Sequence, residues 1–295
     1  MPGRGRREGT GMTSDVMAGG RFVYRRFYAG PVRAVVFDWA GTTVDYGSRA
    51  PVEAFVEAFR RRGVELSVRE ARGPMGAAKR DHIRELLSSE DVRERWREAN
   101  GCLPSGEDVG AVYEEFLPLQ IESAAEHAKL VPGTAEVVEA LRARGIRIGS
   151  SSGYGHEIMA KVLSSAREQG YEPDALVCPE DVPAGRPYPW MMFKNAMDLG
   201  VYPMSACVKA GDTITDVEEG LNAGAWTVGF ARSGNELGLS EKETEALNQR
   251  ELAARSDGVY ERMYRAGAHY VVDTIADLPA VLDSIEARLG RGEQP

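Results

Sequence analysis

Short apolar runs alternate with helical patterns over the second half of the chain. The pattern predicts strands at 146–149, 175–178, 206–210, 226–230 and 269–272, and helices at 134–144, 156–170, 189–199, 216–223 and 275–289. Strands that alternate with helices in this way are typical of a parallel sheet covered on both faces. The sequence therefore predicts a doubly wound α/β fold with its ligand site at the carboxyl ends of the strands.

A further strand is predicted near the N-terminus. The run from Val32 to Phe37 is followed at once by Asp38 and, three residues later, by Gly41. A strand of this kind fixes the carboxylate, while the glycine turn lets an anionic group approach backbone amides. This arrangement suits phosphoryl transfer.

The stretch between these two regions is helical in pattern. Apolar residues recur at helical spacing from Glu53 to Phe59, Ser67 to Glu70 has the form of a capping box, and further helices are predicted at 77–88, 89–100 and 108–128. We therefore expect an α/β catalytic core at 31–47 and 128–290, with an inserted α-helical cap domain at 48–127. Residues 1–30 are predicted to be a flexible extension, in which 21–28 could pair as an edge strand.

Composition narrows the possible functions. The chain has 295 residues, of which 43% are hydrophobic and 27% charged, as in ordinary globular proteins. The net charge of −9 argues against a nucleic-acid surface, and no apolar run reaches the roughly 20 residues that span a bilayer. The three cysteines form no CxxC pair and the four histidines lack ligand spacing, so we expect a cytoplasmic protein without disulfides or zinc.

Polar groups follow four of the predicted strands in turn. They are Asp38, the segment Ser150–Gly153, Arg186 and the segment Gly211–Asp216. Each alone is more often a turn or loop, but four in this order resemble the motifs of the haloacid dehalogenase superfamily. The resemblance implies that Asp38 is the nucleophile, that Ser152 and the Gly153 amide hold phosphoryl oxygens, and that Arg186 takes the usual lysine position. It also implies a Mg2+ site at Asp38, Ala40, Asp212 and Asp216, and oxygen ligands suit this cation.

Four longer segments indicate one family within this superfamily more specifically than the short motifs do. Residues 38–47, 73–82, 153–155 and 186–190 look like the phosphonoacetaldehyde hydrolase family, and the similarity runs from about residue 31 to about 285. The resemblance implies carbon–phosphorus bond hydrolysis through a Schiff base on Lys79. It also implies a proton-relay role for His82, an aldehyde pocket shaped by Met75, and substrate contacts at Thr42 and Tyr154. Met75, Lys79 and His82 have the spacing of one helix face.

Ala40 stands where superfamily phosphatases usually carry a second aspartate that acts as acid and base. A leaving group that is carbon, activated by an iminium on Lys79, needs this acid less. Ser48 departs from the family pattern, since a relative carries cysteine there, but this change removes no group on which the chemistry depends.

Two other functions remain open at this point. One is a phosphate monoester hydrolase or mutase of the same superfamily, in which Lys79 only binds substrate. The other is a noncatalytic phosphate-binding protein, which the presence of both Asp38 and Asp212 disfavours. The expected partner is a small phosphonate, and the resemblance implies a homodimer through the cap. The cap aromatic residues either form that interface or pack the cap core, and they are Phe55, Phe59, Trp96, Tyr113 and Phe116.

Overall fold

The computed structural model describes residues 12–16 and 22–295, with side chains from residue 27 onward. Its strands are β1 (Met12–Val16), β2 (Phe22–Arg26), β3 (Ala34–Phe37), β4 (Arg147–Ser151), β5 (Ala175–Val177), β6 (Cys207–Gly211), β7 (Trp226–Phe230) and β8 (Tyr270–Val272). The last six form one sheet in the order β5-β4-β3-β6-β7-β8, and every neighbouring pair is parallel. The α/β sheet predicted from the sequence is confirmed.

Of the helices between β3 and β4, the first five form what we call the helical insertion, residues 50–126. They are α1 (Ala50–Arg61), α2 (Val68–Arg72), α3 (Lys79–Ser88), α4 (Glu90–Asn100) and α5 (Gly106–Glu126). The capping box is present at the start of α2, where Ser67 and Glu70 bond each other reciprocally. Phe55, Phe59 and Phe116 are buried in a hydrophobic cluster confined to the insertion, together with Trp96. These aromatic side chains therefore pack the insertion core.

The remaining helices cover the sheet. They are α6 (Thr134–Ala143), α7 (His156–Glu168), α8 (Trp190–Asp198), α9 (Ile214–Asn222), α10 (Glu241–Ala246), α11 (Gln249–Arg265) and α12 (Leu278–Gly290). Strand β3 contributes side chains to two hydrophobic clusters. Val35 and Phe37 belong to one of them, and Ala34 and Val36 belong to the other. Within the described residues, no helix has the length and apolarity needed to cross a membrane.

Several details differ from the sequence prediction. Helices α10 and α11 were not predicted. The helix expected from residue 77 begins at Lys79, because Ala78 is extended with ψ 139° and ends the preceding turn. Met75 therefore lies in that turn and does not share a helix face with Lys79 and His82. The strand β2 pairs with β1 in a separate antiparallel sheet, and residues 1–11 and 17–21 of the predicted extension lie outside the described residues.

Strand register brings the predicted polar motifs to one edge. Phe37 at the end of β3 is level with Ser150 on β4 and with Ala210 on β6. Because the three strands are parallel, the residues that follow them meet at the same edge of the sheet. The insertion leaves and rejoins the core at this edge, where Val44 and Leu130 form a bridge between the two linkers.

Candidate active site

Asp38 is fixed by the end of β3. Its backbone N–H donates to the carbonyl of Ala210 at 2.9 Å, and its side chain is almost fully buried. The Nη2 atom of Arg186 donates to its Oδ1 atom at 2.6 Å. Burial raises the pKa of Asp38, and the opposing charge of Arg186 lowers it less than burial raises it. The carboxylate is thus held in one orientation at the carboxyl edge of the sheet.

Arg186 is the centre of a buried ionic network. Besides Asp38, its guanidinium lies 2.9 Å from Asp216 and 3.2 Å from Glu219, and it donates to the carbonyl of Ser151 at 2.6 Å. Burial opposes its charge, but the three carboxylates outweigh burial and raise its pKa. The guanidinium is a fixed positive charge beside Asp38.

Lys209 and Glu219 complete this network and were not predicted from the sequence. The Lys209 Nζ atom lies 2.8 Å from Asp216 and 3.2 Å from Glu219, and donates to the Ser151 hydroxyl at 2.9 Å. Although burial raises the pKa of Asp216, Arg186 and Lys209 outweigh it and lower the value to about 2. The place of Lys209 in the sequence could have indicated this network, because a lysine within a buried apolar strand requires carboxylate partners.

Asp212 differs from Asp216 in having no cationic partner among the described residues. Its two oxygens accept hydrogen bonds from the Thr42 hydroxyl at 2.8 Å and from the Asn235 backbone N–H at 2.7 Å. Burial raises its pKa well above the usual value, and the charges of Asp38 and Asp216 raise it further. Gly41, with φ +86°, is needed beside it, since a Cβ atom there would meet Asp212 at 2.2 Å.

The charges around this edge do not balance. Carboxylate oxygens of Asp38, Asp212 and Asp216 lie within 4.8 Å of one another. The buried cluster contains more carboxylates than cations, and its members are Asp38, Asp212, Asp216, Glu219, Arg186 and Lys209. Hard oxygen donors with excess negative charge suit a divalent cation, so these residues fit one. Asp38 and Asp212 are the better side-chain donors, because Asp216 is already paired twice.

Lys79 is the first residue of α3 and is buried, with 5% of its surface exposed. Its Nζ atom lies 5.0 Å from the ring centroid of Tyr154 and 5.5 Å from that of Phe55. Burial lowers the pKa of Lys79 to about 7, although the nearby Asp38 charge raises it, and the Arg186 charge lowers it further. A substantial fraction of this amine is therefore neutral near neutral pH.

One cavity joins most of the residues predicted for the site. It is small, with a volume of about 20 Å³. Its lining residues include Asp38, Ala40, Ser48, Met75, Lys79, Ser152, Gly153, Tyr154 and Arg186. A larger cavity of about 310 Å³ shares Lys79 and Gly153 with it, so Lys79 lies where the two meet.

Four predicted residues lie outside the lining of the small cavity, and they are Thr42, His82, Asp212 and Asp216. Thr42 directs its hydroxyl at Asp212, as described above. His82 is fully buried next to Lys79. The centroid of its ring lies 3.9 Å from that of Phe55, with the two planes tilted by 31°, and its Nε2–H donates to the carbonyl of Ala71 at 3.0 Å. Burial lowers the pKa of His82 well below its usual value, and the Lys79 charge lowers it further. His82 is therefore neutral, with its Nδ1 atom unpartnered among the described residues.

Comparisons of the sequence and of the structure with known proteins agree with each other. Residues 32–224 match the haloacid dehalogenase-like hydrolase family. A phosphonoacetaldehyde hydrolase of Syntrophobacter fumaroxidans is 50% identical over 93% of this chain and 99% of its own length. One from Bacillus cytotoxicus is 51% identical over 86% of this chain and 97% of its own length. The crystal structure of a phosphonoacetaldehyde hydrolase-like protein from Oleispira antarctica, 44% identical, superposes with a TM-score of 0.90 over 91% of this chain and 98% of its own.

Proposed function

This chain belongs to the haloacid dehalogenase-like hydrolases and, within them, to the phosphonoacetaldehyde hydrolase family, and on that basis we propose how its residues cleave a carbon–phosphorus bond. The substrate is phosphonoacetaldehyde, and the products are acetaldehyde and phosphate. The observation that carries this proposal is the buried amine of Lys79 in the same cavity as the Asp38 carboxylate. An amine with a pKa of about 7 can condense with an aldehyde, whereas hydrolysis of a phosphate ester has no need of it.

The reaction begins at Lys79. Its neutral amine adds to the aldehyde carbon to give a carbinolamine, and protonation of the carbinolamine hydroxyl followed by loss of water leaves an iminium. Asp38 then attacks phosphorus, the carbon–phosphorus bond breaks, and its electron pair moves into the iminium to give an enamine. Protonation of the enamine carbon and addition of water release acetaldehyde and restore Lys79. Water finally cleaves the aspartyl phosphate to phosphate and Asp38.

The surrounding residues stabilise this sequence. Arg186 provides a fixed positive charge beside Asp38 for the oxygens of the phosphoryl group. Ser152 and the Gly153 amide bind other phosphoryl oxygens, while Tyr154 and Met75 line the aldehyde end of the cavity. We assign proton transfer to the Nδ1 atom of His82, because it is buried near Lys79 without a hydrogen-bond partner among the described residues.

We propose Mg2+ as the divalent cation at Asp38 and Asp212. Ala40 has no side-chain donor and can offer only its carbonyl oxygen, and Asp216 supports the site through its contacts with Arg186 and Lys209. When bound, Mg2+ supplies positive charge that lets an anionic carboxylate approach an anionic phosphoryl group.

The assignment of Lys79 is tested by trapping. Incubation with Mg2+ and phosphonoacetaldehyde, followed by borohydride, should leave a reduced adduct on Lys79 that peptide mass spectrometry locates. Lys79→Arg should abolish both the adduct and phosphate release, because a guanidinium does not form the iminium. Lys129→Arg is a matched control at a lysine that is 75% exposed. Phosphate release without an adduct on Lys79 would contradict the Schiff base, and hydrolysis of sugar phosphates alone would contradict the substrate.

Two further properties are proposed for the whole protein. We propose a homodimer formed through the helical insertion, as the family resemblance implies. We also propose a cytoplasmic location, which the three unpaired cysteines support.

A further inference from the structure

Arg72 connects the helical insertion to the core through several main-chain carbonyls. It is the last residue of α2, and its Nη1 atom donates to the carbonyl of Gly47 in the linker at 2.9 Å. The same atom donates to the Asn235 side-chain oxygen at 3.0 Å, and Nη2 donates to the carbonyl of Gly238 at 3.2 Å. One guanidinium therefore joins the insertion, its linker and the core loop 231–240 that follows β7.

Asn235 carries this connection to the metal-binding edge. Its side-chain amide donates back to the carbonyl of Arg72 at 3.4 Å, and only 5% of its surface is exposed. Its backbone N–H donates to Asp212 at 2.7 Å. The residue thus faces Arg72 with its side chain and Asp212 with its main chain, so a shift of the loop moves both contacts together.

We propose that Arg72 and Asn235 form a latch that couples docking of the helical insertion to the position of the Asp212 carboxylate. This inference rests on the proposed function, in which the insertion delivers Lys79 and Asp212 holds a divalent cation. Since coupling between two equilibria is reciprocal, the cation stabilises the docked insertion as much as docking strengthens cation binding. Arg72 and Asn235 are positioning residues, because they act through Asp212 and Lys79.

Metal binding alone provides the first test. Isothermal titration calorimetry with MgCl2, without substrate, should give a dissociation constant for Arg72→Met about five- to tenfold above that of the wild-type chain. Asn235→Ala keeps the backbone N–H on Asp212 and should reproduce this loss. The double variant should be no weaker than either single variant, because both changes break one connection. Unchanged Mg2+ affinity in both single variants, or additive losses in the double variant, would overturn the latch.

A second readout follows the insertion itself. Hydrogen exchange of the linker residues 44–49 should slow on Mg2+ addition in the wild-type chain and should not respond in Arg72→Met or Asn235→Ala. Arg95→Met is the matched control, because Arg95 also binds α2, at Glu70, but remains within the insertion. An equal Mg2+ response in all variants would contradict the coupling. Neither measurement uses phosphonoacetaldehyde, so a wrong substrate assignment would leave both results interpretable.

Discussion

The pKa of Lys79 is set by opposing influences on its amine. Burial disfavours the ammonium, Asp38 favours it, and Arg186 disfavours it, so that the pKa is lowered to about 7. A lysine at the surface, with a pKa near 10, would be neutral in roughly one molecule per thousand at pH 7. The buried position of Lys79 in the insertion therefore supplies the neutral amine that the proposed condensation requires.

The pH dependence of adduct formation follows from this pKa. Since only the neutral amine reacts, the rate at which borohydride-reducible adduct forms should rise about tenfold per pH unit below pH 7 and level off above it. Single-turnover trapping measures this profile over a range from about pH 5.5 to about pH 9, which extends roughly two units on either side of the pKa. A rate that keeps rising to pH 9 would contradict a pKa of about 7 for Lys79.

The buried network around Glu219 should be sensitive to loss of one charge. Glu219→Gln removes a carboxylate that lies 3.2 Å from both Arg186 and Lys209, leaving the two cations less compensated. We expect the free energy of unfolding to fall by about 3–5 kcal/mol, measured by urea denaturation. Adding Lys209→Met removes a buried cation that has lost one of its two carboxylate partners, and it should recover part of this loss. A double variant whose cost equals the sum of the single costs would argue against the network.

Local patterns in the sequence were sufficient to predict most of the strands and helices. The parallel strands and the residues that follow them were recognisable, because apolar runs and strand ends are properties of neighbouring residues. The contact between Asn235 and Asp212 was not, because it uses a backbone N–H 23 residues away and no side-chain type marks it. Lys209 could have been found from its place in an apolar strand, but only the fold identifies Glu219 and Asp216 as its partners.

Close packing between the insertion and the core depends on Gly153. A Cβ atom there would lie 2.7 Å from the carbonyl oxygen of Ala77 and 2.9 Å from that of Gly76, both in the turn before α3. Gly153→Ala should therefore displace the insertion. We expect a larger radius of gyration in small-angle X-ray scattering and a Lys79 adduct that forms at least about tenfold more slowly.

Gly106→Ala is the matched control for this substitution. Gly106 begins α5 and has open space around it, so alanine there should leave scattering and adduct formation unchanged while favouring the helix by up to about 1 kcal/mol. If Gly153→Ala matched the wild-type chain in both measurements, the insertion would not need this close contact to dock.

For the molecule as a whole, charge is distributed unevenly. The chain carries a formal charge of −9, yet the small cavity is lined by two basic residues, Lys79 and Arg186, beside the carboxylate of Asp38. An anionic substrate is thus attracted only locally, and the acidic remainder gives no general affinity for polyanions. The proposed divalent cation at Asp212 would add positive charge beside these carboxylates, and phosphoryl binding would then depend on it.

The proposed dimer can be located by comparing two exposed apolar residues. Leu103, in the insertion, is 54% exposed, and Met197, on α8 of the core, is 73% exposed. Light scattering of the wild-type chain at micromolar concentration should give twice the mass of one chain. Leu103→Glu should reduce it to one chain, because a buried unpaired carboxylate opposes association, whereas Met197→Glu should remain dimeric. A monomeric wild-type chain would reject the dimer. Dissociation by Met197→Glu but not by Leu103→Glu would place the interface on the core, because the face around Met197 would then be the one buried on association.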